Sequence, residues 1–111
     1  MNSDRMYMEH IRDAIEKILR FSSEGQEAFY QDDRTQDAII RNFEIIGEAV
    51  KQLSDDVRQA YPDIPWRRVA GFRDVLIHDY MGVKLDLVWV VIIKELPALH
   101  AAVKAYLALC R

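Results

Sequence analysis

The sequence predicts an all-α protein, an antiparallel up-and-down bundle of four to five helices, and three observations carry that expectation. Only four glycines and three prolines interrupt 111 residues, so turns are few and the elements between them long. Apolar residues recur three and four positions apart, the spacing that lines one face of a helix. Half of the residues are hydrophobic and 30% charged, the composition of a globular chain with one core rather than of a disordered one. No repeat, low-complexity stretch or linker divides it, so residues 1–111 read as a single domain.

The first helix is marked from Tyr7 by Met8, Ile11, Ile15, Ile18 and Leu19, with Ser3 or Asp4 as the expected cap. It should end near Ser22–Ser23, and Glu24 to Tyr30 has room for a short extra turn before a second capping signal at Asp32–Asp33. The next helix has the clearest pattern: Ile39, Phe43, Ile46, Val50 and Leu53 fall on one face, leaving Arg41, Glu44, Glu48 and Lys51 for the others. Ser54-Asp55-Asp56 then caps a short helix that stops before Pro62. Pro65 suits the first turn of a helix from Trp66 to about Tyr80, with Val69, Phe72 and Leu76 inward and Gly82 as its stop. A further helix starts near Leu85, and Pro97 either kinks it or starts a fifth. Apolar residues from Leu85 to Ile93 go nearly all the way round that helix. A domain this small cannot bury all of them, which predicts a homodimer.

Charge and cysteine usage narrow the function classes. A formal charge of −3 argues against nucleic-acid binding over the whole surface, so any such contact must be local. The densest candidate is Trp66-Arg67-Arg68, an aromatic beside two arginines running on towards Arg73. The one cysteine, Cys110, has no partner for an internal disulfide, which fits a reducing compartment. The N-terminal residues do not read as a signal peptide, and no apolar run approaches the roughly twenty residues of a membrane span. The expected location is the cytoplasm, with no membrane partner.

The segment Arg73 to Tyr80 concentrates reactive groups. Arg73 and Tyr80, seven apart, share a helical face, while Asp74 and His78, four apart, share an adjoining one, so Asp74 could hold one imidazole nitrogen. Arg73 and His78 diverge by about 140° on an ideal helix. They can meet on one phosphate only if the helix loosens near Asp79–Gly82 or if two chains contribute. The plain alternative is that Arg73 pairs with a carboxylate, His78 caps the helix end and Tyr80 packs. Glu44 and Glu48 have the spacing of a di-metal bundle but lack a Glu-x-x-His partner helix, His10 and His100 lack metal-ligand spacing with His78, and there is no glycine-rich phosphate loop. No metal or cofactor is expected.

The string Arg73-x-x-x-x-His78-x-Tyr80, preceded by Gly71-Phe72 and followed by Trp89 and Leu96-Pro97, resembles the HepT family of HEPN-superfamily toxins. Upstream, Ile45-Ile46-Gly47-Glu48-Ala49 and Trp66 are similar to other stretches of that family, strongly from about Arg34 onward. The resemblance implies a HEPN-like helical dimer with two copies of the motif facing one cleft. It implies a metal-independent ribonuclease toxin, with Arg73 and His78 catalytic and Asp74 orienting them where the family often has Asn. It also implies a toxin–antitoxin partner, an MntA-like nucleotidyltransferase that could transfer AMP to Tyr80. The competing expectation is a non-catalytic helical partner of such a nucleotidyltransferase, and a third is a structural adaptor.

Overall fold

The third helix is the axis of the molecule because its apolar stripe is long enough to serve two neighbours. Ile39, Phe43, Ile46 and Val50 are all buried, and helices on either side pack against them. The computed structural model describes residues 3–78 and 84–110, the side chains of Ile77 and His78 excepted. Within them the chain forms α1 (Ser3–Phe21), α2 (Gln26–Gln31), α3 (Asp33–Lys51), α4 (Asp55–Ala60), α5 (Trp66–His78), α6 (Leu85–Lys94) and α7 (Leu96–Leu109), and no strand. Five are the long helices of the expected all-α bundle. The two six-residue helices, α2 and α4, occupy the places expected for a short turn and a short capped helix.

Helix α3 packs on α1 and α5, α7 packs on α1, and α6 packs on α7. Met8, Ile11, Ile15 and Ile18 of α1 are buried as the spacing requires, as are Val88 and Ile92 of α6. Aromatic pairs tie successive layers together: Phe43 of α3 meets Phe72 of α5 edge-on at 5.3 Å, and Phe29 of α2 meets Trp89 of α6 at 5.6 Å.

Two helix starts follow the expected capping chemistry and a third does not. Asp32 caps α3 by accepting from the Arg34 N–H at 3.0 Å and the Thr35 hydroxyl at 2.9 Å. Ser54 caps α4 through the Val57 N–H. Ser3 and Asp4, expected as caps, lie inside α1, and the Asp4 carboxylate instead accepts from the Ser54 N–H at 2.9 Å and hydroxyl at 2.7 Å. A local cap is thereby replaced by a bond across 50 residues of chain. Pro97 resolves as a start, not a kink: α6 ends at Lys94, and the proline sits in the first turn of α7, where its missing N–H has no partner to lose. No helix among the described residues is long and apolar enough to cross a membrane.

Candidate functional site

Arg73 lies where α3 and α5 come closest, and a glycine permits that approach. A Cβ built on Gly47 would lie 2.5 Å from the Arg73 Cβ and 3.4 Å from the Ala70 carbonyl oxygen, so only glycine fits. With its stem seated there, the Arg73 guanidinium is partly exposed, and its Nε faces the Glu48 carboxylate in an ion pair at 3.1 Å. Its Nη1 faces the Asp74 carboxylate at 3.6 Å, and Asp74 in turn faces Lys51 Nζ at 3.6 Å. Glu48 and Asp74 are both more than half exposed, so these pairs are worth at most about 1 kcal/mol each in stability. Their consequence is geometric. The guanidinium is held between two carboxylates, and with five N–H donors it has more capacity than these two ion pairs use.

Arg73 forms part of the wall of a groove of about 320 Å³, which Tyr7 and His10 of α1 and Arg41, Glu44 and Glu48 of α3 also line. Arg41 and Glu44 pair at 3.6 Å across one helical turn. Tyr7 meets His10 edge-on, their ring centroids 6.2 Å apart. Glu44 and Glu48 therefore belong to arginines. No cluster of three or more metal-ligating side chains exists among the described residues.

The other expected residues divide. Asp74 stands next to Arg73, but its carboxylate is drawn to Lys51 and Arg73; its relation to the His78 ring, and the Tyr80 position, lie outside the described residues. Helix α5 continues unbroken to His78, so positions 73 and 78 stay about 140° apart around its axis. Trp66, expected as an RNA contact, is corrected: it is only 6% exposed, and its indole N–H donates to the Tyr61 carbonyl at 3.0 Å, so it offers no face for a base to stack on. Of its neighbours, Arg68 is bonded to Glu95 at 2.7 Å, and Arg67 is exposed.

Sequence reasoning missed the grip of Glu48 on Arg73. The signal was present in Gly47-Glu48, but it acquires a physical meaning only once α3 and α5 are docked. On the opposite side of α5, a second and apolar groove of about 520 Å³ opens between α5 and α6, lined by Val69, Phe72, Val75, Leu87 and Val90 among others. Val75, Leu87 and Val90 are each between 43% and 48% exposed, and Ile93 further along α6 is 54% exposed.

Comparison with known proteins bears on this arrangement. A model of the family described as "Ribonuclease HepT-like" matches residues 11–106. A protein of Caldanaerobacter subterraneus subsp. tengcongensis, provisionally named an RNase, is 41% identical over 108 residues, covering 96% of both chains. The "Probable ribonuclease HepT" of Thermococcus cleftensis is 44% identical, over 87% of this chain and 89% of its own. A provisionally named RNase of Methanocaldococcus jannaschii is 37% identical over 84% of this chain and 78% of its own. No solved structure matches the chain.

Proposed function

Because the chain belongs to the HepT-like ribonuclease family, we propose that it is a metal-independent endoribonuclease that cuts RNA through the RNA's own 2′-hydroxyl, with Arg73 and His78 as its catalytic residues. The observation that carries this reading is the state of Arg73: seated on Gly47, ion-paired with Glu48, and lining an open groove. A planar fork of that kind suits the oxygens of a phosphodiester.

The 2′-oxygen attacks the adjacent phosphorus, the new O2′–P bond forms and the P–O5′ bond breaks. The products are a 2′,3′-cyclic phosphate and a free 5′-hydroxyl. One group must take the 2′-hydroxyl proton, another must give a proton to the departing 5′-oxygen, and a cation must meet the charge that builds on the phosphorane. His78 of one chain is the base, His78 of a second is the acid, and Arg73 is the cation. The unbroken α5 supports this two-chain assignment, because one helix directs positions 73 and 78 apart. The uncovered apolar groove beside α5 supports the homodimer it requires. DNA, lacking the 2′-hydroxyl, is spared.

On this reading the protein is the toxin of a toxin–antitoxin pair whose partner is an MntA-like nucleotidyltransferase. That partner transfers AMP to Tyr80 and so places a bulky anion on the side of the helix that carries Arg73. A second reading, a non-catalytic partner of the nucleotidyltransferase, draws on the same ion pair, since Glu48 already offsets the charge of Arg73.

Purified protein incubated with single-stranded RNA in EDTA separates the two. Cleavage to cyclic-phosphate ends should persist without metal and fall by at least about a hundredfold in His78→Ala and Arg73→Ala. Undiminished cleavage by His78→Ala would reject the catalytic assignment. For the antitoxin, Tyr80→Phe should remain toxic when the nucleotidyltransferase is co-expressed; neutralisation of that variant would reject the modification.

A further inference from the structure

We infer that the groove between α1 and α3 is the subsite for the nucleotide flanking the scissile phosphate, so that the substrate is a single-stranded RNA segment stacked on Tyr7 and anchored by Arg41. This rests on the assignment of Arg73 to that phosphate.

Arg73 is in the wall of the groove, so a phosphate held there places the next nucleotide either along the groove or away from the protein. The groove is suited to receive it. Its volume of about 320 Å³ is at the lower bound of small-molecule sites, room for a single nucleotide rather than a duplex. Tyr7 packs partly on the core and is edge-on to His10, so its ring is set before any ligand arrives. A ring fixed in this way stacks a base of any identity, because every base has a π-face. Arg41 and Glu48 are seven residues apart on α3, about 10 Å along the axis, so the groove carries one guanidinium at each end, Arg41 and the Arg73 that Glu48 holds.

The carboxylates do not repel the ligand, because both are committed: Glu44 to Arg41 and Glu48 to Arg73. The two arginines and two glutamates of the groove thus balance in charge. Affinity from stacking and shape, rather than from a field of lysines, also fits a chain of net charge −3. A double helix cannot use this site, since its bases are stacked on each other and its phosphates follow a rigid path. The buried Trp66 offers no platform, whereas Tyr7 lines the same groove as Arg73.

The test measures binding apart from cleavage. A fluorescein-labelled single-stranded oligonucleotide with 2′-O-methyl sugars, which cannot be cut, is titrated by anisotropy with the full-length protein. Its duplex is titrated in parallel. Wild-type protein should bind the single strand and prefer it to the duplex. Arg41→Ala, at a side chain 71% exposed and so without consequence for folding, should weaken binding about tenfold. Tyr7→Ala should do the same and Tyr7→Phe should restore it, since the ring and not the hydroxyl stacks the base. With cleavable RNA, both alanine variants should raise KM and leave kcat within about twofold. Unchanged affinity and KM in Arg41→Ala overturn the groove while cleavage through Arg73 and His78 stands. A wild-type protein that neither binds nor cuts the single strand overturns both, and equal affinity for the duplex overturns the single-strand assignment.

Discussion

Helix α5 has two unlike sides. On one, Arg73 and Asp74 face α3 and are held by Glu48 and Lys51. On the other, Phe72 and Val75 border an apolar groove that α6 does not close. The first side is finished within one chain: its arginine has a seat, a partner and a groove in front of it. The second is unfinished, because Val75, Leu87 and Val90 leave apolar surface in water at about 25 cal/mol per Å², an arrangement a second subunit would relieve. The contrast teaches that preparing the proposed phosphate site and completing it are separate tasks. Helix α3 does the first, and in the proposed dimer a second copy of the chain does the second.

The contrast breaks most visibly at Val90. Placing a carboxylate there, Val90→Asp, should cost an isolated chain no more than about 0.5 kcal/mol, because the residue is nearly half exposed. In a dimer closed over this groove the charge would be buried unpaired. The variant should then sediment as a monomer and lose cleavage by about a hundredfold or more while its helical circular dichroism is unchanged. Wild-type mass and rate in Val90→Asp would show that the apolar side has no part in the reaction.

Next in size is Glu48. If it aims the guanidinium, Glu48→Ala should lower kcat about 10- to 100-fold with little change in thermal stability, and Glu48→Gln, which keeps the length and an acceptor oxygen but not the charge, should recover part of that loss. A faster Glu48→Ala enzyme would mean that the carboxylate masks Arg73 rather than orienting it.

These two effects also mark what could be read in the chain. The stripe Ile39–Phe43–Ile46–Val50 was legible because helical periodicity alone decides which residues meet a core. Arg73 and His78 were legible as a spaced motif. The partner of Arg73 was not, because Glu48 lies 25 positions earlier on another helix, and the rotation of α3 against α5 is set by packing. Trp66 misled for a related reason: beside two arginines it reads as a binding patch, yet the Tyr61 carbonyl at the end of α4 draws its indole inward. Asp4 was legible as a polar residue near a helix start, but its partner, Ser54, is a tertiary contact.

A pair of glycines gives a smaller and more graded test of the two sides. Within a helix, replacing glycine by alanine ordinarily gains roughly 0.5–1 kcal/mol. At Gly47 the added methyl would meet Arg73 Cβ at 2.5 Å, and overpacking of that kind costs roughly 1–3 kcal/mol, so the net change should be destabilising and cleavage should fall with it. At Gly71, on the unfinished side, the same methyl meets nothing within 4 Å, so monomer stability should rise. Opposite signs in urea denaturation confirm the contrast; equal signs remove it.

The smallest effect lies at the other end of α3 and calibrates what a polar contact on that helix contributes. The Thr35 hydroxyl and then the Arg34 N–H hold the Asp32 carboxyl below its ordinary value of 3.8. A carboxyl depressed in the folded state contributes stability that is fully present above the unfolded value and is lost as pH falls from about 3.8 through the lower folded one. Asp32→Asn keeps a capping oxygen without the charge, so it isolates the charged part of the cap. The thermal midpoint of the wild type should therefore exceed that of Asp32→Asn slightly at pH 7, with the gap narrowing as pH falls below about 3.8. Because this carboxylate is exposed to solvent, the gap should also shrink in high salt. A gap independent of pH would assign the cap to hydrogen-bond geometry alone.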